Sequence, residues 1–597
     1  MKQTTFLLLA ALALAIFLQT SYTQNTNQAE RFLPNYMTDW EKSQLDYLRK
    51  HPEPVHVMDP NPPSGPVRTM AEWEELQALQ ITWTAQLPIL RQIVDYAQEE
   101  CIVYIICSDS NSVKTYLTSG NVPLTNLRFL VTSFNSIWCR DYGPWTVYSG
   151  TVDTLRIIDW IYNRPSRPQD NASPVFVANY MGVPIHQTLN SPNDLVNTGG
   201  NFMVDGHGTA FASKLILSEN QSGNPYGVSP KNEAQIDGIM NSYMGINRYI
   251  KMETLPYDQI HHIDMHIKLL DEETLLVGQY PAGIADGPQI ELNLQYVLAN
   301  FRTCFNKPYK VVRIPMPPGP NGQYPNNGGD YRTYTNSVFV NKTVIVPTYA
   351  QQYDTTALRI YREALPGYKV VGIDCNAIIP SLGAIHCITK EIGVSDPVFI
   401  SHSGIRDTNN AGNTTEVKAY IKSKSGIQSA KVFWTLDTAS GFTQVNMTNV
   451  GDTFRANIPS QVPGSKIYYY ISASSLSGRT VTKPLPAPSG NFRFTVTGTI
   501  GVAPVNNGVP NRFALFQNYP NPFNPVTRIK FDIAKSSNVS MKIFDASGRE
   551  VLKVTDAFMN AGSYSFDWNA VKFASGIYFY KLTAGDFTEV KKMILIK

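Results

Sequence analysis

Charge is scarce in this chain. Lys, Arg, Asp and Glu together make up 16% of its 597 residues, against roughly 25% in an average soluble protein. The formal net charge is +3, with no run of lysines or arginines. This argues against nucleic acid or a polybasic membrane contact as a partner. Cysteine is scarce too. Six of them (Cys101, Cys107, Cys139, Cys304, Cys375 and Cys387) cannot staple a chain of this size, although an even count in an exported protein leaves room for a pair. Long apolar runs are missing. The run over residues 6–18 has 13 residues, short of the ~20 a helix needs to cross a bilayer, and no later segment approaches a span. What the chain does have is core material. Apolar residues reach 43% and aromatics 11%, which excludes a wholly disordered or collagen-like chain. At roughly 150 residues per domain the length is that of about four folding units.

The first residues read as a secretory leader over 1–23: Lys2, then the apolar run, then Ser21 and Thr23. A short membrane anchor is the alternative. Residues 24–395 mix patterns, with AEWEELQALQITW at helical period and YIICSDS, LRFLVTSFN, TLLVGQY, VVRIPM and TVIVPTYA as strands. That mixture predicts one large α/β domain, with no tight sequence repeat. Residues 396–498 carry evenly spaced strands and little helix signal, which predicts an Ig-like β-sandwich. Residues 499–511 read as a linker. Residues 512–597 open on the turn-rich NYPNPFNP and continue as short alternating strands punctuated by Gly548, Gly562, Gly576 and Gly585, which predicts a small second sandwich.

Five clusters in the α/β region carry chemistry. They are Trp138-Cys139-Arg140-Asp141 with Gly143-Pro144-Trp145, Asn197-Thr198-Gly199-Gly200-Asn201, His261-His262-Ile263-Asp264-Met265-His266, Thr335-Asn336-Ser337, and Gly383-Ala384-Ile385-His386-Cys387-Ile388-Thr389. Each alone has a bland reading. Asp141 could be a cap, Gly200 an ordinary turn and Cys387 a buried structural thiol. His262 and His266 would share a helix face and could ligate a metal; on a strand, His262, Asp264 and His266 would share a face instead.

In this order and wording the five clusters resemble the guanidine-modifying superfamily of the five-bladed α/β propeller (pentein) fold, nearest to bacterial peptidylarginine deiminase, with agmatine deiminase as a cousin. The resemblance covers roughly residues 30–395. It implies Cys387 as nucleophile, His262 as acid and base, Asp141 and Asp264 as guanidinium clamps, and Asn336 as a support. Trp138 would wall the pocket, and Gly200 would offer backbone to the substrate. It further implies that Arg164 and Arg167, in an Arg/Pro-rich loop, hold a substrate α-carboxylate. Thr198 fits the peptidylarginine type, since agmatine deiminases usually carry Glu there. No metal or organic cofactor is implied. The last 85 or so residues resemble the type A C-terminal sorting domain of the type IX secretion system, which implies that machinery as a partner and a secreted or surface location.

The chemistry stands beside the resemblance. A guanidinium is planar, delocalised and always protonated near neutral pH. Its carbon is a poor electrophile, so hydrolysis calls for a thiolate, carboxylates that fix the plane by charge-assisted hydrogen bonds, and a proton shuttle. The expected substrate is an arginine-containing peptide or protein, with agmatine as the alternative. Two further readings stay open: a metal hydrolase centred on His262 and His266, and a surface-binding protein whose deiminase-like domain is inactive.

Overall fold

The structure, a computed structural model, describes residues 32–51, 58–408, 413–461, 464–497, 503–506 and 509–597. The expected leader lies outside the described residues. The chain divides into two compact units, Met1–Phe399 with Lys422–Gly426, and Ile400–Ile421 with Ile427–Lys597.

Among its described residues the first unit holds five separate sheets, none closed on itself. Each contains the same element: an antiparallel strand pair, a helix, and a third strand parallel to the second. The pair Trp145–Ser149 and Leu155–Tyr162 leads through helix Ser173–Met181 to Ile185–Thr188. Met203–Val204 and Thr209–Ser213 lead through Glu233–Met244 to Arg248–Met252. Ile267–Asp271 and Thr274–Gln279 lead through Gly287–Asn300 to Lys310–Pro315. Val338–Val340 and Thr343–Thr348 lead through Gln351–Ala364 to Lys369–Asp374. The fifth sheet is assembled from both ends of the unit. Lys390–Gly393 pairs with Leu76–Thr82, which leads through Leu87–Ala97 to Ile102–Cys107. The repetition is structural and has no counterpart in sequence, because each copy needs only apolar strands and one amphipathic helix.

Leu76–Thr82 corrects the helical reading of AEWEELQALQITW. It is a strand flanked on both sides, and Leu76, Ala78, Leu79 and Ile81 are all buried. A strand covered on both faces shows no two-residue alternation, so chance apolar spacing there mimics a helix period.

In the second unit, strands including Thr415–Lys422, Ile427–Thr435, Thr453–Ile458 and Lys466–Ser475 form two sheets, their residues buried in alternation. The last two sheets share one core. Ile529, Phe531 and Phe566 from one meet Met541, Ile543, Tyr580 and Leu582 from the other. Ala503–Asn506, expected in the linker, pairs antiparallel with Gly562–Asn569 in that sandwich; four residues are too few to show a strand pattern.

A buried ion pair fixes the short helix Cys139–Tyr142 to the strand Lys390–Gly393. Both guanidinium ends of Arg140 donate to Glu391, at 2.7 Å each, and its Nε donates to the His386 carbonyl at 3.1 Å. Arg140 is wholly inaccessible to solvent. Removing one partner of such a pair leaves a stranded charge, so Glu391→Gln is expected to destabilise the first unit by about 3–5 kcal/mol, measured on denaturant-induced unfolding of the full chain.

Candidate active site

The repeat explains how the five clusters meet. Each lies just ahead of the first strand of one repeat. Asp141 sits in helix Cys139–Tyr142, before Trp145–Ser149. Gly200 sits in the turn Gly199–Asn201, before Met203–Val204. His262 and Asp264 flank the start of the turn Ile263–Met265, before Ile267–Asp271. Asn336 precedes Val338–Val340, and Cys387 lies in the turn His386–Ile388, before Lys390–Gly393. Equivalent positions of successive repeats thus supply one centre.

Asn336 organises the nucleophile. Its side-chain oxygen accepts from the backbone N–H groups of Ala384 (3.1 Å), His386 (3.0 Å) and Cys387 (3.4 Å), while its amide nitrogen donates to Cys387 Sγ at 3.2 Å. Cys387 Sγ lies 3.7 Å from Asp264 Oδ2. Across the centre, Gly200 N–H donates to Asp141 Oδ1 at 3.1 Å, and His262 Nδ1 lies 3.7 Å from that same oxygen. His262 Nε2 meets the Thr198 hydroxyl at 3.2 Å. The paired glycines are required by close approach. A Cβ on Gly199 would stand 2.0 Å from the Arg140 carbonyl oxygen, and one on Gly200 would stand 2.3 Å from His262 Nδ1.

These contacts leave a specific set of atoms open. Asp141 Oδ2, Asp264 Oδ1 and His262 Nδ1 are buried and meet no hydrogen-bond partner within the protein. Buried polar atoms are nearly always paired, so three such orphans mark a place for a ligand that donates several N–H groups. One oxygen of each carboxylate is already held by the protein, and the other is open. The Gly200 N–H is likewise taken, by Asp141 rather than by substrate.

The electrostatics follow from this crowding. Burial, with the charges of Asp264 and Asp141 added, pushes the Cys387 thiol well above its ordinary value, and the Asn336 hydrogen bond only partly opposes it. Burial also lowers His262, against the pull of Asp141 and Asp264. For Asp264 burial works upward, but the hydrogen bond and charge of His386 outweigh it and hold the carboxyl below the usual range. These shifts favour the protonated thiol, the neutral imidazole and the ionised Asp264 carboxyl.

The remaining expected residues are placed as follows. Trp138 is buried, its ring nitrogen donating to the Leu33 carbonyl at 2.8 Å and its ring 6.0 Å from that of Phe32. Arg164 donates to the Asn35 carbonyl from Nε (3.0 Å) and Nη2 (2.6 Å); Arg167 meets the Glu41 carboxylate from Nε (2.8 Å) and Nη2 (3.1 Å). Both arginines are thus engaged by the chain itself. His262 and His266 stand at either end of a 3-10 turn, so neither the helical nor the strand spacing applies. Among the described residues the cluster with metal-ligand geometry is Glu72, His386 and Glu391, and Lys268, Arg140 and Lys390 already neutralise its carboxylates. None of the six cysteines, all of them among the described residues, is joined in a disulfide. Sequence reasoning passed over His386 and Glu72. His386 stood inside the fifth cluster, masked by its neighbour Cys387.

A buried thiol, an imidazole and two carboxylates with open acceptor atoms define a cysteine-centred site for a cationic, multiply donating group. The chain belongs to the Porphyromonas-type peptidyl-arginine deiminase family, whose model matches residues 68–392. Residues 517–597 match the secretion system C-terminal sorting domain, and the protein is accordingly exported, to the cell surface or beyond. No helix among the described residues is long and apolar enough to cross a membrane. A Selenomonas ruminantium protein named provisionally as an agmatine deiminase is 24% identical over 319 residues, covering 49% of this chain and 83% of its own. A similarly named Vibrio parahaemolyticus protein is 26% identical over 299 residues, covering 45% and 78%. The agmatine deiminase structure of Enterococcus faecalis matches 57% of this chain and 99% of its own at 18% identity, with a TM-score of 0.48.

The raised thiol gives a test. Alkylation of Cys387 by neutral iodoacetamide, followed by peptide mass spectrometry, is expected to be slow at pH 8 and to keep rising past pH 9. Asp264→Asn, by removing one of the two repelling charges, is expected to speed alkylation at pH 8.

Proposed function

We propose that this protein hydrolyses the guanidino group of arginine at the C-terminus of peptides or proteins, outside the cell, yielding citrulline and ammonia. The observation that carries the reading is the trio of open buried atoms, Asp141 Oδ2, Asp264 Oδ1 and His262 Nδ1, on residues where both carboxylates act electrostatically on Cys387 and on His262. A guanidinium supplies the N–H donors those acceptors lack, in one plane. Its charge also offsets the two carboxylates that hold the thiol up, so the ligand itself favours the thiolate.

The steps follow. Cys387 passes its proton to His262 and the sulfur attacks the guanidinium carbon, held face-on by Asp141 and Asp264. His262 returns the proton to the departing nitrogen, the C–N bond breaks and ammonia leaves an S-alkylthiouronium. Water, deprotonated by His262, adds to the same carbon, and the C–S bond breaks to give the ureido product and the thiol. No step calls for a metal or organic cofactor.

The peptide end of the substrate is supported by Arg164 and Arg167, two cations in one loop suited to an α-carboxylate, and by Thr198 where agmatine deiminases usually carry Glu. Agmatine is the second reading. It is favoured by the names of the curated relatives and by the engagement of both arginines within the chain. The five repeated sheets, with Lys390–Gly393 returning to the first, support the five-bladed arrangement of this enzyme superfamily.

The test is a substrate panel read by ureido product. A peptide ending in arginine is expected to turn over, with its C-terminal amide and agmatine at least about tenfold slower in kcat/KM, the loss of one charged contact. Preference for agmatine would overturn the substrate class. Cys387→Ala is expected to abolish turnover.

A further inference from the structure

We propose that His386, backed by Glu72, is a positioning residue that orients Asp264 and keeps it ionised for guanidinium binding. The geometry is a buried relay. His386 Nδ1 lies 2.7 Å from Asp264 Oδ2, and Nε2 lies 2.8 Å from Glu72 Oε1. With a carboxylate oxygen within hydrogen-bond distance of each ring nitrogen, the ring bridges Asp264 and Glu72. Glu72 is fixed in turn by Lys268 Nζ at 2.5 Å. His386 thereby holds one oxygen of Asp264 and turns the other, Oδ1, open into the site. The groups facing Asp264 are His386 and Cys387 from the nucleophile turn, His262 and His266 from its own segment, Arg140 and Asp141 from the short helix, and Asp258. Of these, His386 makes the shortest contact with the carboxylate, 2.7 Å against 3.7 Å for Cys387 Sγ.

This inference rests on the reading of Asp264 as a clamp, so Asp264→Asn is measured alongside; full activity in that variant would overturn the clamp rather than the relay. His386→Gln and Glu72→Gln are expected to lower kcat/KM about 10- to 100-fold, the size of a charged hydrogen bond. Because His386 depresses the Asp264 carboxyl, losing it raises that carboxyl, and the acid limb of the kcat/KM profile is expected to move to higher pH in both variants. A merely structural role predicts a lower melting midpoint with the acid limb unmoved, and that result in both variants would overturn the proposal. Should His386→Gln fail to fold, Glu72→Gln decides alone.

A separate observation concerns access. Cys387, His262 and Asp141 have no solvent exposure and Asp264 has 2%. Residues 32–36 and the helix Asp39–Lys50 lie across the polar groups nearby. The Leu33 carbonyl takes the Trp138 ring N–H, the Asn35 carbonyl takes Arg164, and the carbonyls of Pro34 (2.8 Å) and Tyr36 (3.3 Å) take Arg167. Asn35 also bonds the Ser381 and Leu382 carbonyls, in the loop before Cys387. Glu41 lays its carboxylate on Arg167 and accepts from the Ser166 hydroxyl at 2.7 Å. Burial opposes the charge of Glu41, yet Arg167 holds its carboxyl down at about 2. In that helix Glu41 alone is fully buried.

We infer that residues 32–50 form an inhibitory strap, with Glu41 and the neighbouring carbonyls occupying the arginines that a substrate α-carboxylate would use, and that the strap leaves before substrate binds. The inference rests on the proposed role of Arg164 and Arg167, so the primary readout avoids substrate altogether. It is the rate at which chloroacetamidine, a small cationic electrophile, labels Cys387 in the full chain. Glu41→Gln is expected to raise that rate on the order of tenfold by increasing the strap-free fraction. A Glu41→Cys, Ser166→Cys pair is expected to label fast when reduced and to be protected when oxidised. Equal labelling of the locked and reduced forms would overturn the strap. Faster labelling without improved turnover of arginine-ending peptides would uphold the strap and overturn the arginine pair as carboxylate site.

Discussion

Two carboxylates buried against a thiol are an unstable arrangement in electrostatic terms. Like charges in a desolvated centre repel each other and keep the thiol protonated, and nothing in solvent reaches them for relief. The surrounding structure is arranged around that constraint. Gly200 gives Asp141 a backbone donor, His386 gives Asp264 an imidazole partner, and Arg140 is drawn off to Glu391 instead of entering the centre. What remains uncompensated is negative charge, which in the reading offered above a planar cation meets. A neutral ligand of the same outline would fill the space but leave the two carboxylates against the sulfur. Recognition and activation of the nucleophile are therefore one event in the reading offered above.

The same constraint explains how much of the site was legible beforehand. Asp141, His262, Asp264, Asn336 and Cys387 each stand in a short polar cluster before a strand, and their order along the chain is enough to suggest a shared centre. The residues that hold them were not visible in that way. His386 is adjacent to a more conspicuous cysteine, and Glu72 lies in AEWEEL, among acids that look solvent-facing until the strand Leu76–Thr82 is seen to be covered on both faces. Glu41 is remote for another reason. It meets Arg167 across 126 positions, and no local pattern announces that contact.

Fold legibility divides along similar lines. Strands with one wet face show their alternation, as in Thr415–Lys422 and Lys466–Ser475 of the second unit, and so the β-rich half of the chain could be read from its spacing. The first unit hides its repetition. Its copies share an order of elements and the placing of a polar turn before each opening strand, while their residues differ, because each turn supplies a different function to the common centre.

The shared sheet of Leu76–Thr82 and Lys390–Gly393 has a consequence in time. Asp141, Gly200, His262 and Asp264 are all translated long before the sulfur that completes them, and the segment bearing it also seals the first sheet. A nascent or truncated chain that stops short of that seam lacks both closure and nucleophile together. If Cys387 acts as proposed above, the chain being made is inert until the final repeat has emerged and docked.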